Sequence, residues 1–442
     1  MPTQTKTKAK AKAKLGFCLS TSLVVGNMIG SGIFLLPAAL AFYGGISIFG
    51  WLITAIGSIF FALVFSRLSR LITKAGGPYA YAQAGFGDFT GFLVSWGYWI
   101  SIWCGNAAIS VAGVGYLSVF FPALKDNFLL SALVAIAAIW FFTLVNTRSI
   151  RSVGIVQLIT TILKILPLVL IGSFGYLYFN SEHFSPLNVS TSSSFEAISA
   201  TAALTLWAFL GLESATIPSD KVKNPRKTIP RATIAGLLIV ALIYIASTVA
   251  IMGIMQASEL QDSAAPFADA AQEIWGDGAS YLLALGAAIS CFGALNGWIL
   301  IQGQLPLAAA SDNIFPAAFK KLSKNGIPIT GIIISSILAS LLVGMNYSKG
   351  LVKMFTFIIM LSTLTCLLPY LFSSLTEISL HLKRKIPYNK RKFTIAIIIS
   401  IPAFIYSMWA IWGLGIEIIG WGIALLSAGI PIFLYKKYSG KK

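Results

Sequence analysis

Charge and histidine are scarce in this chain. Of its 442 residues, 10% are charged, 14 are acidic and two are histidine. A soluble domain usually carries about 25% charged residues, so this sequence cannot cover a water-facing surface. His183 and His381 lie far apart and form no metal-binding pair. No nucleotide fingerprint, catalytic-triad pattern or metalloprotease motif is present, so no cofactor and no enzymatic centre is indicated. The four cysteines, Cys18, Cys104, Cys291 and Cys366, all fall within apolar runs. Their spacing suits neither a metal site nor a disulfide framework. No small-residue cleavage site follows a short apolar core, so the start of the chain reads as a tail rather than a signal peptide.

What the chain has is apolar length: 57% of its residues are hydrophobic. They fall in runs of roughly twenty, enough to cross about 30 Å of hydrocarbon. In lipid the backbone has to satisfy its own hydrogen bonds, so the runs are helices. Twelve spans are predicted, at 15–43, 46–70, 90–121, 128–147, 153–179, 196–216, 232–256, 278–306, 327–346, 350–378, 393–412 and 413–435. The expected fold class is an all-α polytopic membrane protein.

The formal net charge of +18 would suggest nucleic acid on a soluble protein. The positions of the charges point to a membrane instead. Counting alternate loops and both tails as one side, 28 of the 32 Lys and Arg residues fall together, and only Lys125, Lys349 and Lys353 fall opposite. Lys164 is the one left inside a span. By the positive-inside rule both termini are cytoplasmic, which suits an inner or plasma membrane protein. The tail 1–14, with Lys6, Lys8, Lys10, Lys12 and Lys14, would lie near anionic headgroups. The expected partners are the bilayer and small solutes, with no nucleic acid.

Two spans carry interruptions in corresponding places. Gly26-Asn27-Met28-Ile29-Gly30-Ser31-Gly32 has three glycines in seven residues, each about 1 kcal/mol poorer in a helix than alanine. The sixth span contains Trp207-Ala208-Phe209-Leu210-Gly211-Leu212-Glu213. Matching breaks in two halves point to an inverted-repeat transporter, with repeats at 15–179 and 196–378, two added helices at 393–435 and a tail at 436–442. A broken helix frees backbone N–H groups that bind a carboxylate. Close helix packing through Gly26 and Gly30 is the alternative.

A carboxylate at membrane depth, Glu213, is a functional candidate by default, with a neutral structural hydrogen-bond role as its rival. Lys164, midway along the fifth span, is a candidate cation substitute or proton carrier. Its rival role is that of a lysine facing a watery cavity. Trp207 and Trp298 lie far from span ends; packing is the common use of such residues, and holding a cation over the ring is the other. Tyr98, Asn106 and Ser362 are polar groups available to line a pocket.

These residues resemble a known family. Gly26 to Pro37, Gly76-Gly77-Pro78-Tyr79-Ala80-Tyr81, Leu206 to Ser214 and Lys223-Asn224-Pro225-Arg226-Lys227-Thr228-Ile229-Pro230 look like the amino acid–polyamine–organocation antiporters, and among them the bacterial arginine/agmatine antiporters. The resemblance runs through the whole chain after the basic tail. It implies twelve helices, a LeuT-like five-plus-five inverted repeat with helices 1 and 6 broken, and often a homodimer. It further implies a substrate site of Asn27, Ile29, Ser31, Gly32, Ser101, Ile102, Asn106, Trp207, Leu210, Trp298 and Ser362. Trp298 would stack on a guanidinium, Trp207 and Tyr98 would gate, and Glu213 would respond to pH. The chain departs from the pattern at Ser101, Ile102, Ile109, Ala294 and Cys366. It also carries Lys164, which instead resembles the fifth-helix lysine of sodium-independent amino acid transporters.

The expected function is sodium-independent exchange of a cationic, arginine-like amino acid for its amine. The alternatives are a proton-coupled symporter of neutral amino acids, a membrane sensor that does not transport, and, with no nucleophile–base or metal pair to support it, an intramembrane enzyme.

Overall fold

In the computed structural model the described residues are 16–30, 32–72, 77–148, 164–213 and 222–439, and they fold as helices joined by turns, with no strand among them. The principal helices are α1 (Phe17–Met28), α2 (Gly32–Ala41), α3 (Ser47–Leu71), α4 (Pro78–Phe86), α5 (Asp88–Leu117), α6 (Phe128–Arg148), α7 (Lys164–Tyr178), α8 (Ser194–Phe209), α9 (Pro225–Ile254), α10 (Pro266–Trp275), α11 (Asp277–Ser311), α12 (Ile329–Asn346), α13 (Leu351–Leu382), α14 (Lys390–Gly413), α15 (Ile416–Ser427) and α16 (Ile430–Ser439).

Among the described residues nine helices are long and apolar enough to cross a membrane, and α1 with α2 makes a tenth as a pair bent by 43°. The shorter apolar helices α7 and α8 stand where the fifth and sixth spans are expected. The start of the fifth span and the end of the sixth lie outside the described residues, as do the basic tail and Ser31. The last span is found as expected, at Ile416–Lys436, with a turn at Ala428 and Gly429 dividing it into α15 and α16. The structure also has two short helices between spans that the hydropathy pattern does not reveal, α4 and α10. Each begins with proline at its first turn, where the missing N–H is no loss.

Local chemistry sets several helix starts. Ser193 and Glu196 form a reciprocal capping box on α8, satisfying two orphan donors. Asn389 accepts the Lys392 N–H at the start of α14. Helix α5 runs through the centre, buried along almost its whole length, and packs most extensively against α11 and α13. Helix α1 packs on α9, and α8 lies between α2 and α3. The outer helices turn large apolar side chains outward: Leu129, Leu133, Phe141 and Leu144 on α6, Ile398 and Ile405 on α14 are all exposed. Apolar surface so extensive is stable against hydrocarbon rather than water.

At one end the bundle is tied by charge. Arg67 on α3 donates Nε and Nη2 to the Glu377 carboxylate of α13 at 2.7 and 2.6 Å. Lys383 and Lys385 donate to the carbonyls of Gly85 and Ala84 at the end of α4. Tyr79 of α4 donates to Asp312 just after α11 at 2.9 Å.

Candidate functional site

The two predicted helix breaks face each other. Helix α1 ends at Met28, the Ile29 N–H bonds to Val25 O at 2.8 Å, and the Gly30 N–H turns back to Met28 O at 2.8 Å. The same Met28 carbonyl accepts Tyr244 Oη at 2.6 Å. Opposite, α8 stops at Phe209, Leu210 is extended and Gly211 adopts φ +101°. That left-handed backbone favours glycine, and so does its neighbour, because a Cβ at position 211 would lie 3.2 Å from the Asn27 carbonyl oxygen.

Between the breaks is a cavity. Asn27, Met28, Gly30 and Gly32 line it from the first break, and Trp207, Ala208, Leu210 and Glu213 from the sixth. Tyr98, Ser101, Ile102, Gly105 and Ile109 of α5 form one wall, closed by Trp298 of α11 and by Ser362 and Cys366 of α13. The α5 residues follow helical spacing. At about 100° per residue they occupy one sector of roughly a quarter turn.

The free space is about 50 Å³ for water-sized contents. That suits a few waters and not an amino acid. Trp207 takes up the room. Its ring lies on Gly32, its Nε1 donates to Ser362 Oγ at 3.3 Å, and it meets Phe355 edge-on at 5.6 Å. Ser362 Oγ in turn donates to the Ser101 carbonyl at 2.8 Å.

Glu213 is fully buried. Tyr98 Oη donates to its Oε1 at 2.5 Å, Tyr370 Oη to its Oε2 at 2.6 Å, and the Gly211 N–H to Oε2 at 3.2 Å. A carboxyl group placed in the membrane is thereby hydrogen-bonded by two phenols and a backbone amide, which offsets its desolvation. Helices α5 and α13 are in this way tied to the break after α8.

Lys164 is 1% exposed and donates Nζ to the Gly26 carbonyl at 3.4 Å, with Cys291 close by. It does not line the cavity. It sits against the last turn of α1, where the helix dipole favours a cation.

Of the other expected site residues, Ser31 lies outside the described residues. Ile29 and Asn106 are buried without lining the cavity. Asn106 donates Nδ2 to Gln302 Oε1 at 2.6 Å, and Gln302 donates on to Ser336 Oγ at 2.9 Å. On a helical projection Asn106 falls about 40° outside the sector of its lining neighbours. Ala294 is buried away from the cavity, whereas Ile109 and Cys366 line it. Gly30, part of the break expected to bind a carboxylate, does line the cavity. Sequence reasoning missed Met28, Gly105, Ala208 and Tyr370 as site residues. Met28 and Ala208 lie within the two recognised breaks, so that signal was present. Nothing along the chain distinguishes Tyr370 from the other 14 tyrosines.

Comparison with known proteins follows the same direction. The amino acid permease family matches residues 15–431. The chain is 36% identical over 369 residues to the cadaverine/lysine antiporter of Escherichia coli (strain K12), covering 81% of this chain and 82% of that one. It is 34% identical over 429 residues to the putrescine transporter PotE of Haemophilus influenzae, covering 96% and 97%. It is 32% identical over 422 residues to the putrescine transporter PotE of Escherichia coli (strain K12), covering 95% and 94%. With its apolar helices, the chain is a multi-pass membrane protein that belongs to the amino acid permease family of the amino acid–polyamine–organocation superfamily, a family of transporters rather than enzymes.

Proposed function

We infer that this protein exchanges a cationic amino acid for the amine left when its carboxylate is lost, by alternating access and without sodium. The observation that carries this reading is the cavity between the two helix breaks, where Gly30 and Gly32 of the first break, Trp298 and Glu213 meet. Backbone N–H groups at the first break would take the carboxylate of the amino acid, and the face of Trp298 would take the cationic end. An amine without the carboxylate would keep the second interaction and lose the first. The antiporter and transporters named above carry lysine, cadaverine and putrescine, so the reading takes the class of cationic amino acids and amines, of which arginine and agmatine are one pair.

Twelve spans in a five-plus-five inverted repeat, with repeats at 15–179 and 196–378 and both termini cytoplasmic, complete the proposal. The closed cavity, with Trp207 laid across it, supports a gate at that residue. The substrate enters when the indole swings away from Gly32.

A second reading, proton-coupled symport of neutral amino acids, draws on the apolar wall formed by Ile102, Ile109, Ala208 and Leu210. Counterflow in proteoliposomes separates the two. Under the exchange reading, radiolabelled arginine or lysine enters only vesicles preloaded with agmatine, cadaverine or putrescine, and leucine does not compete. Uptake of leucine into empty vesicles under a pH gradient alone would overturn exchange in favour of symport.

A further inference from the structure

A second cavity, about 600 Å³, lies at the end of the bundle opposite the Arg67–Glu377 pair. It shares no lining residue with the cavity between the helix breaks. It opens beside the end of α2, the start of α13 and the turn joining α14 to α15. Four apolar helices end or begin there, so the groove sits at the depth where hydrocarbon gives way to headgroups.

Its walls and its mouth differ in kind. Val352, Phe357, Met360 and Leu414 make an apolar floor, and Ile416, 90% exposed, stands on the rim. Around the same groove are four exposed charges: Lys349, Lys353, Asp262 and Glu417. No ion pair joins either lysine to either acid among the described residues. Lys349 instead lies over the Phe357 ring at 3.9 Å.

These two lysines are unusual in this sequence. They are two of only three basic residues that the charge bias leaves on this side, and they stand four residues apart. Lys353 is also in the first turn of α13, where the helix dipole disfavours a cation and favours an anion. A solvated surface offers no reason to gather the minority charge around an apolar slot.

We propose that this groove holds one phospholipid of the phosphatidylethanolamine class, its phosphate at Lys349 and Lys353, its ammonium at Glu417 and Asp262, and an acyl chain along the Phe357–Met360 floor. Charge complementarity selects this headgroup. A purely anionic lipid would satisfy the lysines and meet repulsion from the two carboxylates. A lipid with a quaternary ammonium would lose the hydrogen bonds a primary ammonium makes to them. The inference does not depend on what the protein transports.

Native mass spectrometry of the purified full chain, exposed to equal amounts of phosphatidylethanolamine, phosphatidylglycerol and phosphatidylcholine, tests it. Phosphatidylethanolamine should be retained preferentially. Lys349→Gln with Lys353→Gln should lower that retention by at least about tenfold, since each surface lysine contributes about one factor of five. Glu417→Gln with Asp262→Asn should erase the preference over phosphatidylglycerol. Met360→Trp, which fills the apolar floor and keeps every charge, should also displace the lipid. Equal retention of all three lipids by the parent, unchanged retention in these variants, or displacement of the lipid by excess lysine or cadaverine would each overturn the proposal, the last by making the groove a port for solute.

Discussion

Trp207 lies so close on Gly32 that a Cβ at position 32 would stand 2.2 Å from the indole Cζ3. The glycine that breaks the first span is therefore also the floor on which the aromatic of the sixth span rests. One residue serves both the break and the closure of the cavity.

Gly32→Ala tests that contact. The added methyl forces the indole off the break, and overpacking of this kind costs about 1–3 kcal/mol. The variant should melt at a lower temperature and exchange at least about fivefold more slowly. Trp207→Phe in the same background should recover part of both losses. A Gly32→Ala protein with parental melting and exchange would show that the cavity does not rely on the contact.

Glu213 accepts from two phenols, which gives a way to read its charge. Removing Tyr370 Oη costs about 1.5–3 kcal/mol if the acceptor is ionised and about 0.5–1.5 if it is neutral. Tyr370→Phe should therefore destabilise the parent by the larger amount when Glu213 is ionised, and the Glu213→Gln variant by the smaller. Equal destabilisation of the parent and of Glu213→Gln by Tyr370→Phe would show that the acceptor is neutral.

Lys164 donates to Gly26 O in the last turn of α1, where the helix dipole favours a positive charge, and the proposed sodium-free exchange rests on that ammonium. Exchange should be unchanged when choline replaces sodium. Lys164→Ala should leave the protein in the membrane and slow exchange by about tenfold or more, the order of one lost charged hydrogen bond. A strong sodium requirement in the parent rules out this role for Lys164.

Trp298 faces the cavity from α11. A desolvated cation–π contact contributes about 2 kcal/mol, or roughly thirtyfold in affinity. Trp298→Leu keeps apolar bulk and removes the quadrupole. Calorimetry should show about that loss for arginine, lysine or their amines and little change for leucine. Equal losses for charged and neutral ligands would assign Trp298 to packing.

The Arg67–Glu377 pair links α3 to α13, with side chains 22% and 8% exposed. Removing one partner of a buried pair costs about 3–5 kcal/mol, and partial exposure of Arg67 reduces this. Glu377→Ala should lower the melting temperature clearly, and Arg67→Lys should do so less, since lysine keeps the charge and loses the paired donors. The double variant Arg67→Ala with Glu377→Ala should melt above Glu377→Ala alone. Additive losses would mean the two side chains act independently.

Much of the architecture is legible along the chain because its causes are local. Whether a segment enters a bilayer depends on the summed transfer free energy of about twenty consecutive residues. Whether a helix can break depends on the glycines within it. The runs from 15 to 435, the clustering of basic residues and the breaks at Gly30–Gly32 and after Phe209 are properties of that kind, and the described helices follow them. Short α4 and α10 escape notice because neither is long enough to leave a hydropathy signal.

The site is a different matter, because its members come from five places in the chain. Gly211 against Asn27, Tyr370 on Glu213, and Trp207 on Gly32 join residues more than 150 positions apart. Asn106 and Ile102 are one helical turn apart on α5, yet Ile102 lines the cavity and Asn106 bonds Gln302. The sequence alone establishes a chain of membrane helices, its break points and the residue types available at them. Only the tertiary structure decides which face of each helix meets the cavity, because helix rotation is set by packing against partners that no local pattern identifies.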